Sequence, residues 1–129
     1  MPQIGVSSAF QTVAQAIVVQ TTDATPIVVL SHSVGTHKVV GVELYVVCFE
    51  HTMSAGAVAW VEGLFHRVAG DLIRTVAPRI DLVVTAFGAP QPQVTFVANI
   101  GTQSIDVQIT GKATTTLRWH LDLLVSETA

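Results

Sequence analysis

The sequence predicts an all-β fold: an antiparallel β-sandwich of about eight strands, jelly-roll-like in its winding, with an extended N-terminal arm. Three observations carry this. Valine (22), threonine (15) and isoleucine (8) make up 45 of 129 residues, and a second heavy atom on Cβ restricts χ1 in a way that suits a pleated strand better than a helix. Gly, Pro and short polar residues recur at loop-like spacing, at 21–26, 33–36, 54–56, 69–71, 86–92, 99–102 and 110–112. Alternation of apolar and polar residues marks 105–110 and 116–123, as expected of strands with one dry and one wet face.

Taken in order, residues 1–13 carry no charge and read as the arm, with Ile4, Val6 and Phe10 as its apolar contacts to a partner. Residues 14–129 form one sandwich domain, the prior at this length. Strands are placed at 14–20, 26–32, 38–51, 57–68, 72–76, 80–84, 93–98, 104–110 and 113–125. Between the first two, Thr21-Thr22-Asp23-Ala24-Thr25-Pro26 is an Asx or Ser/Thr turn. Residues 38–50 are apolar on both faces, Val40, Val42, Leu44, Val46 and Cys48 on one, Val39, Tyr45, Val47 and Phe49 with Glu43 on the other. A sandwich has one core, so the second face is expected to meet another subunit. The segment after Asp71 has room for one helical turn at most before Pro78. The two alternating segments joined through Thr110-Gly111-Lys112 read as a hairpin, with Leu117, Trp119, Leu121, Leu123 and Val125 on one face of the second strand and Thr116, Arg118, His120 and Asp122 on the other.

Composition excludes several functions. Six Lys/Arg against nine Asp/Glu give a formal charge of −3, and the scattered basic residues form no patch for a run of phosphates, so no nucleic-acid partner is expected. High hydrophobic content with low charge is the reverse of disorder. The longest apolar stretch, 39–49, is far short of a membrane span and is broken by Gly41 and Glu43. No signal peptide is read at the start, which lacks a charged region and an apolar core. Cys48 is the single cysteine and is expected to be buried and inert.

Chemistry-bearing constellations are sparse. His32, His37, His51, His66 and His120 have no zinc-site spacing. Glu62 and His66 share a strand face and can pair, but no nucleophile or orienting group accompanies them. The aspartates form neither a calcium loop nor a glycosidic pair. No catalytic residue, metal site or cofactor is expected. Trp60 and Trp119 lie mid-strand beside apolar neighbours and read as core or interface anchors before sugar platforms. Val39, Tyr45, Val47, Phe49, Trp60 and Phe65 are the expected partner contacts.

Gln20–Pro26, then Ala59-Trp60-Val61-Glu62-Gly63 with Arg67, then Thr110–Trp119 resemble small β-sandwich modules of tailed-bacteriophage virion proteins, both head decoration (cement) and tail-fibre or tailspike types. The likeness runs from about Gln20 to Val125 and consists of turn and packing signatures, with no active site to carry over. Lacking any repetitive shaft, the chain resembles a short bound module more than a fibre. The resemblance implies a virion protein made in the host cytoplasm: a non-enzymatic decoration protein, homotrimeric, that clamps major capsid subunits. The alternative it implies is a tail- or fibre-associated module that binds a host-surface glycan.

Overall fold

Eight strands build two antiparallel sheets in the computed structural model, which describes residues 10–52, 55–85, 87 and 90–128. They are β1 (Phe10–Thr21), β2 (Ile27–Ser33), β3 (Lys38–Glu50), β4 (Gly56–Arg67), β5 (Ile73–Thr85), β6 (Gln93–Asn99), β7 (Ser104–Thr110) and β8 (Leu117–Thr128). One sheet has five strands in the order β1-β8-β3-β4-β5, the other three in the order β2-β7-β6. Pairing of β1 with β8 and of β2 with β7 sets the first and last strands side by side, as a jelly roll does. The middle departs from that plan, because β3, β4 and β5 run as a plain meander in one sheet.

Period-2 alternation sets the core. On β8 every second residue from Leu117 to Val125 is buried and those between are exposed, and the inward set of β3, Val40 through Cys48, is buried in register beside it. Ile105, Val107 and Ile109 of β7 close the core from the other side. Phe65 of β4 packs edge-on against Phe96 of β6, centroids 6.3 Å apart, an arrangement that ring quadrupoles favour.

Both ends are pinned by side chains that bond loop backbone. At one end the Arg67 guanidinium donates to the carbonyls of Gly70 (2.7 Å) and Val34 (2.8 Å), while Gln103 accepts from the Leu72 amide and donates to the Ile100 carbonyl and the Asp71 carboxylate. At the other end the two turn signatures of the sequence meet. The Trp119 indole N–H donates to Thr21 Oγ1 at 2.9 Å, both groups buried, and Gly111 lies so close that a Cβ there would collide with the Asp23 carbonyl and the Thr21 side chain. The Asx turn is present, with the Thr25 amide donating to Asp23 Oδ1 at 2.9 Å.

Four expectations are corrected. β7 and β8 belong to different sheets, so 110–117 is a crossover and not a hairpin turn, and the last strand starts at Leu117, not at residue 113. The expected strands at 72–76 and 80–84 are one strand, β5, which runs through Pro78 with two register shifts against β4. It is an edge strand, where the amide that proline lacks need not be paired. The arm loses its last four residues to β1, since Phe10–Val13 pair with Val125–Thr128; Ile4 and Val6 lie outside the described residues. Finally, Phe65 is fully buried: it is five residues from outward-facing Trp60 and so on the opposite face, in the core and not at a partner contact.

Candidate functional site

The five-stranded sheet has two faces and the three-stranded sheet covers only one. The other presents the remaining expected contacts. Val39, Tyr45, Val47 and Phe49 alternate outward along β3, and the register Tyr45↔Trp60 brings Trp60 of β4 beside them. The Tyr45 and Trp60 rings meet edge to face with centroids 5.5 Å apart. Trp60 is 42% exposed and Tyr45 38%, large fractions for rings in the middle of a sheet.

β8 supplies what sequence reasoning missed. Its polar face, set aside as merely wet, is placed next to the aromatic stripe by the pairing Tyr45↔Asp122 and Val47↔His120. The His120 ring stacks on Phe49 at 5.6 Å and 23°. Two shallow depressions result, sharing Tyr45 and Asp122 as a wall. One, of about 350 Å³, adds Glu43, Trp60, Leu124 and the small Ala14 and Ala16 of β1. The other, of about 310 Å³, adds Val47, Phe49 and His120. Glu43 also stands directly opposite Glu62 across β3 and β4, an unfavourable pairing of like charges in isolation. The expected Glu62–His66 partnership gives way to another: His66 Nδ1 bonds Thr75 Oγ1 of β5.

Two further clusters are structural. Asp106, buried on the outside of the three-stranded sheet, accepts hydrogen bonds from Ser31 (2.6 Å), Ser104 (2.8 Å) and Asn99 (3.0 Å). Burial pushes its carboxyl up, but the three donors outweigh burial and hold it below its ordinary value. Asn99 Oδ1 in turn accepts from the amides of Gly101 and Thr102, so the cluster anchors the β6–β7 turn. Between the sheets, a cavity of about 430 Å³ has Val46, Cys48, Ala57, Ala59 and Trp119 among its walls. Burial pushes the Cys48 thiol up to about 12, so it supplies no thiolate nucleophile at neutral pH. Among the described residues no three His, Cys, Asp or Glu side chains gather as a metal site.

No protein-family model and no curated protein matches the chain. Among solved structures, it is similar to the tailspike protein of Acinetobacter baumannii phage AM24, with a TM-score of 0.42 and 10% identity over 94% of this chain and 27% of that one. It is also similar to the tailspike protein gp49 of Acinetobacter baumannii bacteriophage Fri1, a capsular polysaccharide depolymerase, with a TM-score of 0.42 and 15% identity over 92% of this chain and 18% of that one. The chain thus spans about a fifth to a quarter of the length of these proteins. At this overlap the likeness assigns no role to any residue here.

Proposed function

We propose that the chain is a non-enzymatic recognition module of a bacteriophage particle, tail-associated, and that the open face of its five-stranded sheet binds a host-surface glycan. The single observation that carries this reading is the exposed Tyr45–Trp60 pair bordered by Glu43 and Asp122. A pyranose ring has an apolar C–H face and a rim of hydroxyls. Aromatic rings cover the first, and carboxylates accept hydrogen bonds from the second. Glu43, Glu62 and Asp122 also disfavour anionic sugars at the pair and select neutral or amino-bearing ones. The turn signatures shared with virion modules support the setting.

One observation favours a second reading. Val18, Val39, Leu64, Ile73 and Leu124 are exposed on the same face, more apolar surface than a sugar ring needs, and a homotrimeric decoration protein clamping major capsid subunits would cover it. A glycan array followed by titration calorimetry separates the two. The glycan reading expects a neutral or amino-sugar ligand whose affinity drops about tenfold in Trp60→Ala, the loss of about 1.4 kcal/mol of ring stacking, while the protein stays folded at the assay temperature. Absence of any glycan ligand, together with hundreds of copies per particle, gives the face to the capsid.

A further inference from the structure

The sandwich has four edge strands, and they are not alike. β5 carries Pro78, Arg74, Arg79 and Asp81 and two register shifts. β2 is seven residues long with a register shift between Val28 and Leu30. β6 is also seven residues long. These are the devices by which sheets keep their edges from pairing: proline, charge, bulges and shortness. β1 has none of them. It pairs with β8 through twelve consecutive residues with no shift, and it contains no charge, proline or glycine. Among the described residues nothing pairs with its other side, so alternate amides and carbonyls along its length are left pointing outward.

We infer that β1 pairs antiparallel with β1 of a second copy, joining two five-stranded sheets into one of ten strands. The occupant is a second copy because the strand is complementary to itself. A two-fold axis through Gln15 sets Val18 of each copy opposite Thr12 of the other, and Val13 opposite Ile17. Like faces match, no charge meets a charge, exposed Val13 gains apolar Ile17, and exposed Val18 gains the β-branched Thr12. Pairing of one patch with its own copy closes as a dimer. A ring of three needs a second, different edge, and β2, β5 and β6 are blunted. The axis stands perpendicular to the sheet, so both open faces lie on the same side of the dimer.

Sedimentation of the full chain at about 1 to 100 μM, a range that reports weak to moderate association, is the test. The expected species has twice the 13.7 kDa mass of the chain. Hydrogen exchange is expected to slow at alternate β1 amides by at least about tenfold as concentration rises through the transition. Thr12→Lys with Val18→Lys, both on the open face, places ammonium groups against each other across the axis and should shift dissociation at least about tenfold toward monomer, with β8 amides protected as before to show that the fold survives. Val97→Lys on exposed β6 should leave the mass unchanged. A monomer throughout, a trimer, or a dimer insensitive to the β1 lysines and without new β1 protection overturns the proposal.

Discussion

Trp119 and Trp60 sit on the two strands that flank β3, opposite Cys48 and Tyr45 respectively, and they face opposite sides of the same sheet. Trp119 is 2% exposed, its one polar atom bonded to Thr21. Trp60 keeps more than two fifths of its surface in contact with solvent and, among the described residues, meets the single ring of Tyr45. The residue type is the same and the strand context similar; the difference is whether a second sheet lies overhead. Stability resides on the covered face, and the open face carries the proposed recognition site.

The sharpest way to break this contrast is to remove each ring. Trp119→Ala opens a large hole in the core and should cost about 3–5 kcal/mol, whereas Trp60→Ala, which loses the edge-to-face contact with Tyr45 but leaves no buried hole, should cost about 0.5–1.5 kcal/mol, both read by urea denaturation. Comparable losses would erase the distinction. Thr21→Val keeps the shape of the covered face but strands the indole N–H; the expected cost is about 1–3 kcal/mol, again by denaturation. Asp106 tests whether a polar group under cover behaves as part of the core. Its folded pKa is depressed, so its contribution is present above the unfolded value of about 3.9 and is lost as pH falls through the folded value. Asp106→Asn turns an amide toward the Asn99 amide and should cost about 1–3 kcal/mol at neutral pH, the deficit shrinking below about pH 4; a deficit independent of pH would refute the assignment. Smallest is Glu43→Gln on the open face. Relief of the Glu43–Glu62 opposition should stabilise by a few tenths of a kcal/mol, measured as a small rise in Tm, while weakening any ligand that hydrogen-bonds the carboxylate.

Much of this was legible in the residues, and the failures have a common cause. Alternation identified the buried face of β8 and the double-sided character of β3, because a side chain's direction along a strand depends only on its own chain, and the local hydrogen-bonding chemistry of Asp23 identified its turn. It could not say which strand lies beside which. Hence the hairpin read across Thr110-Gly111-Lys112 is a crossover between sheets, and hence Asp122 and His120, seen as solvated, turned out to frame the aromatic stripe of β3. Pro78 reads as a strand break in sequence because its tolerance depends on an edge position, which is a property of the sheet. Phe65 lies near Trp60 in sequence, but its odd spacing from that residue assigns it to the core.

Cys48 gives the sandwich a clock. Its thiol lines the partly open cavity between the sheets and is held near 12 by burial, so even a small reagent that reaches it meets the protonated, unreactive form. Unfolding returns it to about 8.5, where near pH 8 a substantial fraction is thiolate. The labelling rate of this one native atom therefore counts how often the two sheets part, with no probe introduced. Comparing that rate with and without a ligand on the far side of the sheet would reveal whether binding at the open face is felt in the core.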